Sequence, residues 1–376
     1  MKRSGMMFGL SLLLIGPLAA EVLPQFPPGS VWRQDISSAN VHPGSASMIG
    51  TLAAICSGDV TGCGFGLGRM QIDFSIKVLH APVDAPTATL IPHQGFGDYF
   101  LPDCDPLGST VPVPIGGSIE GSPDYVCDNN NNDCHLLVVQ GSTLYELYSA
   151  NQANAAAGME ALCLARWNLA AVYPPEGRGD HCTSADAAGF PIAPLLFNAD
   201  EVRAAINQPL AQDRHLGHAI RFILPNDRMD SFPDGPDANS LRDPMYVRPA
   251  SHAGGPDGPE ASVPYGSRLR LRADFPFTNY APAAQVILRT MQRYGIVLAD
   301  GGSIALTAEA DDTTTAKWDD PDIQLGSRVF DQTAAAALVH VSDFQVLDSG
   351  PRILETYDCV RAPEPVPNLF ADGFEN

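Results

Sequence analysis

Residues 135–148 read HLLVVQGSTLYELY: two strongly β-prone runs, His135 to Gln140 and Thr143 to Tyr148, with Gly141-Ser142 between them. A type II′ turn needs glycine at the first of its two central positions, because that position takes a positive φ. A hairpin this tight pairs Gln140 with Thr143, Val139 with Leu144, Leu137 with Glu146 and His135 with Tyr148. Side chains alternate across a strand, so His135, Leu137, Val139, Leu144, Glu146 and Tyr148 are expected on one face. His135 and Glu146 then become diagonal neighbours, roughly 7 Å apart between backbones and within side-chain reach.

Outward from the hairpin the same grammar recurs. Leu269, Leu271, Ala273 and Phe275 alternate with Arg268, Arg270, Arg272 and Asp274, which reads as a strand with its arginines on the face away from the core. His218 to Leu224 reads as another, with Ile220 and Phe222 opposite Arg221, and Tyr246 to Pro249 is expected to return beside it. Helices are few. Asn198 followed by Glu201 has the form of a capping box and predicts a helix over Ala199 to Ile206. Pro282 at a first helical position, Val286, Ile287, Met291 and Tyr294 at helical spacing, and Gly295 at the end predict a second, which runs into a strand at Ile296 to Ala299. Glycine and proline supply 67 of 376 residues and are spread along the chain, as many turns between short strands require. The fold class expected is mainly β: a large antiparallel β-sandwich or jelly-roll-like domain with one or two short helices, spanning residues 21–360. Residues 361–376 are expected to form a proline-rich tail, extended from Ala362 to Pro367.

The first twenty residues carry Lys2 and Arg3, an apolar run from Met6 to Leu14, and Leu18-Ala19-Ala20. This is the pattern of a secretory signal peptide cut near Glu21, and the run is too short to span a bilayer. The expected product is therefore secreted, extracellular or periplasmic, with no membrane span. Removing Lys2 and Arg3 moves the net charge from −21 to −23. No basic stripe is left to release counterions, which argues against nucleic acid as a partner. An even count of eight cysteines in an exported chain reads as disulfides. Equal spacing gives Cys56–Cys63 and Cys127–Cys134, and elimination leaves Cys163–Cys182 and Cys104–Cys359.

Candidate chemistry begins with Glu146 and His135, an acid–base pair or two ligands of a divalent ion; the plainer reading is a structural hydrogen bond on the sheet. Asp186, in a dense polar segment with His181 and Ser184, could pair with Glu146, since glycoside hydrolysis uses two carboxylates; a turn-capping role for Ser184 stands beside that. Arg221, His218, His252 and Trp167 are candidate substrate-binding residues, with Trp318 and Tyr265 as stacking rings or core aromatics. No cofactor is expected. Asp128 and Asp133 bracket an acidic, Asn-rich run that lacks the glycine and distal glutamate of a calcium-binding EF-hand, leaving an irregular structural Ca2+ site or a solvated turn. GxSxG, HExxH and P-loop signatures are missing.

Several segments, LYELY at 144–148, TSADAAG at 183–189, and RYG at 293–295 continuing to ADGGS at 299–303, resemble a family of uncharacterised secreted bacterial proteins over about residues 110–350. Cys182 stands where that family carries tryptophan, which implies a disulfide in place of an aromatic at that edge. The resemblance implies export and common descent without a named activity. Taken together, the residues point to a secreted carbohydrate-active enzyme, a glycan hydrolase or lyase acting on an extracellular polysaccharide. A non-catalytic glycan-binding or envelope protein and a metal-dependent hydrolase of another polymer are the alternatives.

Overall fold

The computed structural model describes residues 22–54, 64–66, 70–127, 132–232, 243–331 and 338–365. The expected leader at residues 1–20, the expected Cys56–Cys63 pairing, Asp128 and the end of the expected tail lie outside these.

Strands dominate, and they form five sheets among the described residues. The largest has six strands in the order Ile72–Ile76, Leu306–Glu309, Ile220–Leu224, Ile296–Gly301, Arg268–Leu271, Phe344–Val346. Its pairing is mixed: Ile72–Ile76 with Leu306–Glu309 and Ile220–Leu224 with Ile296–Gly301 are parallel. The mainly-β expectation therefore stands, while its wholly antiparallel pairing does not. Parallel neighbours need long crossovers, and here chain as distant as residues 76 and 306 is brought together in one sheet.

Period two decides what each face of this sheet does. Ile72, Ile220, Phe222, Leu224 and Leu306 enter the main core. Arg221, Ile223, Thr307 and Asp73 are therefore left on the opposite face, where they line a cleft. Arg268 and Arg270 do not simply meet solvent: they donate to the carbonyls of Val31, Gln34, Ile36, Ser37 and Ala39 and so bind the N-terminal segment across the sheet.

The described residues include three α-helices: α1 (Ser45–Ala54), α2 (Ala199–Ile206) and α3 (Pro282–Arg293). The Asn198 side chain caps α2 by accepting from the Glu201 N–H at 2.8 Å, but Glu201 does not reach back as a full capping box would; its carboxylate meets His218 Nε2 at 3.0 Å. Gly295, at φ +73°, ends α3 and releases the chain into Ile296–Gly301.

The 135–148 hairpin forms with the register its turn dictates, including Leu137 opposite Glu146 and Gln140 opposite Thr143, and Gly141 has φ +60°. Its sheet runs Val78–His80, Leu136–Gln140, Thr143–Tyr148, Cys163–Asn168. Both faces are covered: Leu137, Val139 and Leu144 join the main core, whereas Leu136, Val138, Leu147 and Leu164 join a smaller second core. A strand buried on both sides needs no polar alternation, which explains the unbroken Leu-Leu-Val-Val run.

Three expectations need correction. Asp243–Tyr246 pairs with Ser231–Phe232 and Ile353–Leu354, not with Ile220–Leu224. The cysteines join as Cys104–Cys163, Cys127–Cys134 and Cys182–Cys359, so Cys163–Cys182 and Cys104–Cys359 are both exchanged. Chain pairing decides this: residues 100–105 run beside Cys163–Asn168, and Val360–Arg361 pairs with Gly179–Asp180, which sets Cys359 against Cys182. The same pairing, with Ala362 N–H donating to the Arg178 carbonyl, keeps the chain docked past residue 361, so the tail leaves later than expected. No helix among the described residues is long and apolar enough to cross a membrane.

Because Cys182–Cys359 spans 177 residues, removing it frees a very long loop in the unfolded chain. Replacing both cysteines by alanine is expected to cost about 4–5 kcal/mol in urea-unfolding free energy, and the smaller loss expected from a loop as short as Cys127–Cys134 provides the internal comparison.

Candidate functional site

A cleft of about 890 Å³ opens on the polar face of the six-stranded sheet. That face supplies Asp73, Arg221 and Thr307; the hairpin sheet supplies His135 and Tyr148; the end of the Ile296–Gly301 strand brings Asp300 to the rim. Glu120, Asp133, His252 and Tyr265 complete the polar wall, and Tyr357 comes from the C-terminal strap.

At the cleft floor Arg221 is almost fully buried and spent internally. Its Nη2 and Nε donate to the two carboxylate oxygens of Asp186 at 2.9 and 3.1 Å, and Nη1 donates to Thr307 Oγ1 at 2.8 Å. Asp300 Oδ2 stands 3.7 Å from the same guanidinium, and its side chain remains 25% exposed. Burial first, and then the neighbouring Asp186 charge, push the Asp300 carboxyl up to about 7. Arg221 grips both oxygens of Asp186, so Asp300 lies beside a carboxylate that already has its cation, and burial with that like charge disfavours its ionisation.

Across the cleft His135 Nδ1 lies 2.7 Å from Glu120 Oε2, and its Nε2 lies 3.2 Å from the Ala185 carbonyl. Burial alone would lower the imidazole, but the hydrogen bond and charge of Glu120 lift it to about 9. Burial likewise works against Glu120 ionisation, yet the bond to His135 leaves Glu120 below the ordinary carboxylate value. The pair is an ion pair at neutral pH. Two carboxyl groups on one cleft are thus displaced in opposite directions, Asp300 upward and Glu120 downward.

Of the sequence-predicted site residues, His135, His252, Arg221 and Asp133 line this cleft, while Glu146, Asp186, His218 and Trp167 do not. His135 and Glu146 share the expected strand face but not a bond. Glu146 is wholly buried, accepting from Trp167 Nε1 at 3.0 Å and from the Ile192 and Ala193 N–H groups at 2.8 Å each. Burial pushes its carboxyl up to about 7 against those three donors. Its work is to tie the hairpin to residues 192–193, and Trp167 serves that clamp. His218 is buried against Glu201 and the Ala219 carbonyl. Asp186 stands behind the wall as the partner of Arg221, and Ser184 Oγ accepts from the Asp186 N–H, the turn-capping role. His252 Nδ1 is held 2.7 Å from the Ala187 carbonyl, and its ring meets Tyr357 edge-on.

Asp300, Glu120 and Asp73 were not singled out from sequence. Asp300 had a signal: an acid that ends the apolar run Ile-Val-Leu-Ala at the mouth of a buried strand. Glu120 had none, since its imidazole partner lies 15 residues away across an irregular loop. Among the described residues no group of three or more His, Cys, Asp or Glu is arranged to hold a metal ion. No family model matches the chain, and no curated protein or solved structure matches it significantly.

Two measurements follow. Replacing Glu146 by alanine leaves three buried donors unmatched and is expected to lower unfolding free energy by about 3 kcal/mol or more, without altering the cleft residues. In proton-detected NMR the His135 imidazole should titrate near 9, and in Glu120→Gln it should fall as the largest raising contact is lost and burial is opposed only by the Asp133 and Asp300 charges. The folded value is raised, so the ion pair's stabilisation is present below pH of about 6.5 and is lost as pH rises through about 9.

Proposed function

We propose that the protein is a secreted glycan hydrolase, exported after cleavage near Glu21, with Asp300 as general acid and Glu120 as the ionised carboxylate opposite it. One observation carries this: both residues line the same cleft, and their acidities are displaced apart, as acid–base pairs of glycoside hydrolysis require. In the step envisaged, Asp300 gives its proton to the glycosidic oxygen as the bond to the anomeric carbon breaks. Glu120 carries negative charge for the cationic sugar that develops and accepts the proton of the incoming water. Its Oε1 is engaged by Ser75 Oγ at 2.9 Å, while Oε2 takes both contacts from His135.

The supporting residues fit these roles. Arg221 and Asp186 hold Asp300 at the rim. His135 keeps Glu120 charged. Tyr148 and Phe100 give ring faces suited to sugar rings. A cleft lined with carboxylates favours catalysis over the shallow aromatic platform expected of a glycan-binding module. Three disulfides among the described residues accord with an extracellular setting.

Reducing-end release from a panel of polysaccharides tests the reading. Asp300→Asn is expected to lower kcat by about 10²–10⁴-fold while thermal unfolding stays unchanged. Wild-type activity should fall as pH rises through about 7, where Asp300 loses its proton, and should fall again at acid pH as Glu120 is protonated. Full activity in Asp300→Asn removes Asp300 from the chemistry.

A further inference from the structure

The charge balance of the cleft narrows the substrate, and this step rests on the glycan-hydrolase reading. Five carboxyl groups line the cleft, those of Asp73, Asp103, Glu120, Asp133 and Asp300, of which Asp300 is the acid and the other four supply negative charge. Its cationic groups are already committed: Arg221 to Asp186, and His135 to Glu120. His252 turns Nδ1 to the Ala187 carbonyl. The Asp103 carboxylate takes the Thr183 N–H at 2.8 Å, while the nearby Arg361 guanidinium donates to the Asp103 backbone carbonyl and is shared with Asp105 and Glu364. Asp73 likewise takes the Ser75 N–H at 2.9 Å, and burial raises its carboxyl above the ordinary value. A ligand entering the cleft therefore meets negative potential, and a positive group beside Asp73 would offset the desolvation that burial imposes.

A second feature is independent of the carboxylates. The Phe100 and Tyr148 rings lie nearly parallel, with centroids 6.4 Å apart, and both line the cleft together with Tyr99 and Tyr265. Aromatic faces carry a negative quadrupole that attracts cations, and they also cover the apolar face of a pyranose ring. A polyuronate would bring like charge against the wall, whereas a protonated amine on a sugar satisfies both features at once.

We propose that the cleft binds a glycan bearing free amino groups, a glucosamine-type polymer whose ammonium groups sit among the Asp73, Asp103 and Asp133 carboxylates and the neighbouring aromatic rings. Glu120 and Asp300 keep the acid–base roles assigned above.

Isothermal titration of the Asp300→Asn protein, which does not consume its ligand, compares the glucosamine tetramer with its fully N-acetylated counterpart and with tetragalacturonate near pH 6. The amine form is expected to bind at least about tenfold more tightly than the N-acetylated one, or roughly 1.4 kcal/mol, with galacturonate weakest. That advantage should shrink as salt is raised, and it should drop at least about threefold in the Asp103→Asn/Asp133→Asn protein, which leaves Glu120 untouched. Equal or tighter binding of the N-acetylated tetramer overturns the amine assignment. So does failure of both glucosamine ligands to bind while wild-type protein still cleaves another glycan, and in either case the hydrolase reading stands. Absence of binding to all three together with absence of cleavage across the polysaccharide panel overturns both.

Discussion

A guanidinium taken out of water must be matched by charge and by hydrogen bonds, and that demand from Arg221 organises the centre of this molecule. Leaving such a cation unmatched costs several kcal/mol, so the residues that answer it are fixed in place. Asp186 supplies two oxygens and Thr307 a third. Through these bonds the Ile220–Leu224 strand, the Leu306–Glu309 strand and the loop that carries Asp186 are locked to one another. Asp300, at the end of the neighbouring parallel strand, finds the guanidinium already occupied. It is left near a cation but beside a second carboxylate, and burial together with that like charge pushes its carboxyl up to about 7.

The second constraint is the hairpin sheet, which is a shared wall between two cores. Both faces are covered over its central part, so an acid placed at a buried position there has to be satisfied internally or stay neutral. Glu146 meets three N–H donors there, and it is therefore a clamp despite its raised acidity. A perturbed carboxyl by itself does not mark a reactive group; Glu146 and Asp300 are both pushed to about 7, and only Asp300 meets the cleft. His135, just before the Leu136–Gln140 strand at the open end of the hairpin, escapes the wall and reaches Glu120.

What could be read from the chain follows the range of the interactions involved. The turn at Gly141-Ser142, the Asn198 cap, the Pro282 start of α3 and the alternation around Arg221 are set by residues within a few positions of each other, and they appear in the structure. The disulfide partners of Cys163 and Cys182, the sheet neighbours of Asp243–Tyr246, and the pairing of His135 with Glu120 are set by contacts across the fold, and spacing carried no record of them. The face of Arg221 was legible as a polar side of a strand; that four other segments would close over it was not.

This division explains why the site differs from the one that local pattern suggests. A hairpin brings its own residues together by geometry alone, so His135 and Glu146 were the pair that sequence could see. The cleft instead joins Asp73, Glu120 and Asp300, three acids from separate strands and loops spread over more than half of the chain. Acids lining one cleft repel unless something offsets them, and the structure offsets them unequally: an imidazole partner for Glu120, burial beside Asp186 for Asp300, and burial with the Ser75 N–H for Asp73. Unequal compensation displaces the acidities of Glu120 and Asp300 in opposite directions, and the hydrolase proposed above draws on that inequality more than on the presence of any single acid.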